Sequence, residues 1–162
     1  MRKKKIYPLA EEITTADKFA VLGDTQNFKK RKQAWKAWRA LKDFGCIVYP
    51  VAEDLKRLDG SKVYHNLAEL TGKVTVIVPC LFPERLKSLV ADAASAGAKR
   101  IWFQERTWSQ ELQQECDSVA IETVRGCVLR HVSHSPLSMC YFNPCYWHGL
   151  RDAKVPAKRF RR

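Results

Sequence analysis

The chain has 162 residues, 46 % of them hydrophobic and 28 % charged, with a formal net charge of +12. That length suits one domain with a real core. No apolar stretch reaches the roughly 18 residues that span a bilayer, and the RKKK start leads into no signal-peptide core, which excludes a membrane span and reads as a cytoplasmic protein.

Residues 1–17 carry charge, one Pro and no clear period, consistent with a leader over residues 1–16 or a short helix. FAVLG, residues 19–23, is a short apolar run ended by Gly, as expected of a buried strand. Residues 28–44 read as one helix, because Ala34, Trp35, Ala37, Trp38, Leu41 and Phe44 recur at spacings of three and four with Lys and Arg between them. Gly45 stops it. CIVYPV, 46–51, is a second strand; residues 53–60 then turn through Asp59-Gly60, and HNLAEL, 65–70, makes one or two helical turns.

KVTVIVPC, 73–80, is apolar at almost every position, the pattern of a strand covered on both faces. PERLKSLVADAASAGA, 83–98, reads as a helix with Pro83 in its first turn and Leu86, Leu89, Val90 and Ala93 inward. KRIWFQ, 99–104, is a fourth strand, TWSQELQQECDS a third sizeable helix, and VAIETV, 119–124, a fifth strand. Strands alternating with helices predict an α/β fold, a three-layer sandwich around a mainly parallel five-stranded sheet.

The charge is local. Four of the 29 Lys and Arg lie in residues 2–5, six in residues 29–39 and six in residues 151–162. Local positive charge favours phosphate-bearing ligands, nucleic acid or an anionic surface without choosing among them. Of the six cysteines, Cys46, Cys80 and Cys116 sit in or beside core elements, where a reduced thiol behaves as a small hydrophobe.

Matching pieces run in order along the chain: FAVLG with its polar turn, GCIVYPV, GSKVYHNLAEL, VTVIVPCLFPERL, GAKRIWFQE and a last strand closing on Cys127. Over roughly residues 17–130 the sequence resembles the CoA-binding domain family, small Rossmann-like proteins similar to the N-terminal domain of the succinyl-CoA synthetase α subunit. The resemblance implies a CoA-binding domain over residues 1–130 and a basic, Cys/His- and aromatic-rich extension over 131–162, packed on the same domain. This chain departs from that pattern in three places. Its first turn is Gly23-Asp24-Thr25-Gln26-Asn27 where a Ser is usual, Ala52-Glu53 stands for Asn-Pro, and Arg106 replaces a small residue.

In an open parallel sheet a ligand binds beyond the carboxyl ends of the strands. That rule sets Gly23, Asp24, Thr25 and Gln26, with Pro50, Val51, Val78, Pro79, Cys80 and Gln104, along one rim. Gly23 either admits the backbone to a phosphate or only turns the chain. Lys29, Lys30, Arg31 and Lys32 either supply charge for a diphosphate and 3′-phosphate or form a solvated face. On the resemblance, the ligand is CoA or an acyl-CoA, with Pro50 and Val51 at the adenine and Val78 and Pro79 along the diphosphate and pantetheine. Glu53 at the end of the second strand keeps NAD(P) open.

Cys127, His131, His134, Cys140, Cys145 and His148 fall within 22 residues. Thiolates and imidazoles so close either hold Zn or Fe or belong to an aromatic tail packed over the sheet; their spacing matches no strong finger or ferredoxin pattern. His131 and His134 lie outside the resemblance, and a Ser-His-Asp arrangement, a metal-hydrolase motif and a Walker loop are missing. The expectation is therefore binding without catalysis. The alternatives are a nucleic-acid-associated protein using the basic helix and the RFRR tail, and a redox or metal switch at the terminal cysteines. Pairing with a second copy as a homodimer is left open.

Overall fold

Pro8–Ala10 (β1) and Ile13–Thr14 (β2) pair as an antiparallel ribbon at the start of the chain. The computed structural model describes residues 6 and 8–131. The ribbon replaces the expected leader or helix, and the reason is burial: Leu9 and Ile13 are packed into the core at 2 % and 0 % exposure.

Lys18–Leu22 (β3) leads into two helices, Thr25–Lys29 (α1) and Gln33–Asp43 (α2). The single helix expected over 28–44 is thus broken. Phe28 is buried, and so are Ala34, Ala37, Trp38 and Leu41. Six residues from Phe28 to Ala34 turn a regular helix by about 240° beyond a full turn, so one straight helix cannot bury both. Arg31 takes a left-handed φ of 51° at the break, which brings both stripes inward.

Ile47–Val51 (β4) follows, then a small ribbon of Arg57–Leu58 (β5) and Ser61–Lys62 (β6). Asp59 and Gly60 join its strands, both with positive φ, as a two-residue hairpin requires. The HNLAEL stretch forms a 3-10 turn at Leu67–Leu70, and Val76–Pro79 (β7) is buried throughout. The helix expected over 83–98 begins late. Pro83–Arg85 is a 3-10 turn, and Leu89–Ala96 (α3) starts only after two further i to i+3 bonds, Leu86 N–H to Pro83 and Leu89 N–H to Leu86. Arg100–Phe103 (β8), Gln110–Ser118 (α4) and Glu122–Arg125 (β9) complete the described chain, closed by a 3-10 turn over Val128–His131.

The main sheet has the order β4-β3-β7-β8-β9, and every pair in it is parallel. Side chains alternate across it, as the pleat dictates. Val76, Val78 and Trp102 join Trp38, Leu41 and Phe44 of the α2 layer in one core. Ile77, Ile101 and Phe103 join Leu89, Ala93, Leu112 and Cys116 of the α3 and α4 layer in the other. These are the three expected layers. Among the described residues, no helix is long and apolar enough to cross a membrane.

Candidate functional site

From β3 the chain moves outward to β4, then crosses over β3 to β7. Adjacent loops at the carboxyl ends of β3 and β7 therefore run to opposite sides and leave a crevice, the switch point where doubly wound sheets hold ligands. Two clefts open there, of about 470 Å³ and 360 Å³. The larger is lined by Lys32, Gln33, Cys80, Phe82, Gln104 and Arg106, among others. The smaller runs under the ends of β3 and β4, past Thr25, Val51, Glu53, Asp54, His65 and Asp92. Asp24, Leu81 and Arg85 line both. An ion pair between Arg85 Nη1 and Asp24 Oδ2 stands where the clefts meet.

The turn after β3 is built tightly. A Cβ on Gly23 would lie 2.6 Å from the Ala34 Cβ and 2.9 Å from the Phe28 ring, so glycine is required here by packing of the helices onto the turn. Its own N–H donates to the Val51 carbonyl at 3.0 Å. Asp24 caps α1, accepting from the Asn27 backbone N–H at 2.7 Å and the Asn27 amide at 3.1 Å. Burial raises the Asp24 pKa, but the Asn27 and Arg85 hydrogen bonds and the Arg85 charge outweigh it and hold the carboxyl below its ordinary value. A carboxylate of the chain itself thus sits at the start of α1. Beside it the Thr25 hydroxyl oxygen is buried with no hydrogen-bond partner.

The expected rim is partly assembled. Gly23, Asp24, Thr25 and Val51 line the smaller cleft, and Asp24, Gln26, Lys32, Cys80 and Gln104 the larger. Lys29, Lys30 and Arg31 do not join them. The break after α1 carries them onto the exposed outer side, where the Arg31 guanidinium stacks 5.1 Å above the Trp35 ring. Pro50, Val78 and Pro79 are buried within strands and line neither cleft; Pro50 and Val78 precede their strand ends, and Pro79, the last residue of β7, is paired with Leu22 of β3. Arg85 is the main residue that sequence reasoning passed over. The helix expected over 83–98 gave it no role; it ends the 3-10 turn Pro83–Arg85 instead, and from there its guanidinium reaches Asp24.

Gln104 is only 3 % exposed, and its partners are within the protein. Oε1 accepts from the Val128 N–H at 2.9 Å and from Gln33 Nε2 at 3.4 Å, while Nε2 donates to the Trp102 carbonyl. It ties the segment after β9 to the sheet, forming the cleft wall. Gln33 Nε2 also reaches Cys127 Sγ at 3.6 Å. Burial, with a smaller contribution from Cys127, pushes the Cys80 thiol far above the usual range. Cys80 is therefore a protonated wall residue.

Of the six residues considered for a metal, His134, Cys140, Cys145 and His148 lie outside the described residues, as does the side chain of His131. Cys127 is buried against the larger cleft. Among the described residues no group of three His, Cys, Asp or Glu is placed to hold a metal ion.

Five parallel strands wound in both directions from β3, with clefts at the reversal, define a Rossmann-like α/β domain. The chain belongs to the CoA binding domain family, whose match covers residues 17–132. A hypothetical protein from Pyrococcus horikoshii OT3 superposes with a TM-score of 0.65 at 27 % identity, over 71 % of this chain and 80 % of its own. A conserved hypothetical protein from Pyrococcus furiosus gives 0.61 at 28 %, over 67 % and 92 %. A dinucleotide-forming acetyl-coenzyme A synthetase of Ca. Korarchaeum cryptofilum, with phosphate and ADP, shares the fold at 22 % identity and a TM-score of 0.55, over 66 % of this chain and 25 % of its own. Comparison with curated proteins gives no match.

Proposed function

We propose that this chain is a binding module for CoA or an acyl-CoA, held across the switch-point crevice, with no reaction of its own. The observation that carries the reading is Arg85, a cation lining both clefts and balanced there by Asp24. A diphosphate laid across the crevice competes with the Asp24 carboxylate for that guanidinium, which suits planar, bidentate recognition of phosphate. Lys32 and Arg106 add charge on the side of the larger cleft. Leu81 and the exposed Phe82 offer that cleft's apolar wall to a pantetheine arm. The groups present bind rather than react: Cys80 is held protonated, and Gln104 is committed to Val128 and Trp102.

Thermal-shift and calorimetric titrations with CoA and acetyl-CoA test the reading. A ligand at 100 times its Kd stabilises the folded chain by about 2.7 kcal/mol. Arg85→Ala is expected to remove most of that shift while leaving the unliganded melting point within a few degrees, since Arg85 is surface-exposed in its ion pair. A chain that gains no stability from either compound at millimolar concentration overturns the reading.

A further inference from the structure

We propose that the outer face of α1 and α2 is a second binding site, one that holds single-stranded nucleic acid along its phosphate backbone. Lys29, Lys30, Arg31 and Lys36 line neither cleft, so the CoA reading makes no use of them and this inference does not rest on it.

Charge is lopsided on these two helices. Residues 25–42 hold seven Lys and Arg and no Asp or Glu. The fold only partly supplies what the local sequence lacks. Arg39 pairs with Asp43 at 3.3 Å, and Lys42 lies over the Trp38 ring with its Nζ near Ser61 Oγ. Lys29, Lys30 and Lys36 are exposed, and among the described residues no carboxylate forms an ion pair with any of them. Lys32 at the N-cap, Lys36 and Arg39 follow at spacings of four and three, which sets them on one side of α2. Like charges so placed repel one another, a cost to the free chain that a bound polyanion offsets. From Lys32 to Arg39 the helix axis advances about 10 Å, room for about three phosphates of one strand at 3.4 Å each. The break at Arg31 adds Lys29, Lys30 and Arg31 at the head of that stripe.

An anionic lipid surface presents phosphates too, but a helix that lies on lipid buries an apolar face in it. Here Phe28, Ala34, Ala37, Trp38 and Leu41 already face the core, and the exposed large hydrophobics Ile6, Ile47, Phe82 and Val119 all lie off α1 and α2. The face offers a flat aromatic group instead. Trp35 is half-buried, its Nε1 donates to Asp59 Oδ2 at 2.9 Å, and the Arg31 guanidinium stands 5.1 Å above its ring. Guanidinium planes and aromatic rings stack on unpaired bases, which a duplex keeps inside its own stack. Cations for the backbone beside a stacking surface favour a single strand over both duplex and lipid.

The test is fluorescence anisotropy of a labelled 12-nucleotide RNA titrated with the full chain at 50 and 200 mM salt. With about four phosphates neutralised, the Kd should rise about fifty-fold between those salts. Replacing Lys29, Lys30 and Lys36 together by Ala should weaken binding at 50 mM salt at least tenfold and flatten its salt dependence. The melting point of that variant should hold or rise, and the shift that CoA produces should not change. Arg31→Gly, which keeps the left-handed backbone, should weaken single-strand binding several-fold more than binding of a duplex of equal length. No binding at 50 mM salt overturns the proposal. So does a triple variant that binds as wild type, which would move the contact to the basic residues of 2–5 or 151–162. A duplex bound as tightly as the single strand, or anionic phospholipid vesicles bound more tightly per phosphate than the RNA, overturns it as well.

Discussion

At Gly23 the packing of two helices onto the turn, which residue type alone does not reveal, is what calls for glycine. The turn needs glycine because Ala34 and Phe28 occupy the space of a Cβ. Gly23→Ala should therefore destabilise the fold by about 1–3 kcal/mol through overpacking, measured by urea denaturation, and Ala34→Gly should recover part of the loss in a double-mutant cycle. Asp24 carries a pH signature. Its pKa lies below the ordinary 3.8 in the folded chain, so its contribution is complete above that value and disappears as pH falls through the lower folded one. Asp24→Asn keeps an N-cap but removes the charge. The stability difference between wild type and Asp24→Asn should be constant above about pH 5 and shrink toward zero as acid is added.

Helix boundaries depend on phase as much as on composition. The basic stretch after Phe28 has good helix formers throughout, and periodicity alone joins it to Trp38 and Leu41. The break at Arg31 became visible only when Phe28 and the α2 stripe had to reach the same core. The late start of α3 follows the same logic, since the turn at Pro83 carries Arg85 over the crevice before the helix settles on the sheet. The far end of α3 also differs from the expected residue 98, since the helix stops at Ala96. Gly97 caps it with φ of 79°, and nothing lies within 4 Å of a Cβ there. Gly97→Ala should cost about 1–2 kcal/mol from the left-handed backbone alone, with no packing component, readable as a lower melting point at unchanged m-value.

The N-terminal ribbon precedes the family match yet supplies Leu9 and Ile13 to the core. Glu12 also reaches Arg100 at 2.7 Å, the residue that holds Glu122 of the edge strand at 2.6 Å. A chain beginning at residue 17 should lose roughly 3–6 kcal/mol, from two buried side chains worth about 1.5–3 kcal/mol each. Denaturant midpoints of the two chains check this; equal midpoints would show that the ribbon only rests on the domain.

Five β-branched or apolar runs, separated by helix-forming stretches and turn residues, were enough to specify a parallel sheet sandwiched between helices. Local periodicity and turn chemistry are properties of neighbouring residues, so they survive without coordinates. The make-up of the crevice is different. Arg85 meets Asp24 across 61 positions, Gln104 meets Val128 across 24, and Lys29, Lys30 and Arg31 fall outside both clefts beside one left-handed residue. Such meetings depend on which strand ends lie side by side and how helices pack over them, and only the assembled chain decides that.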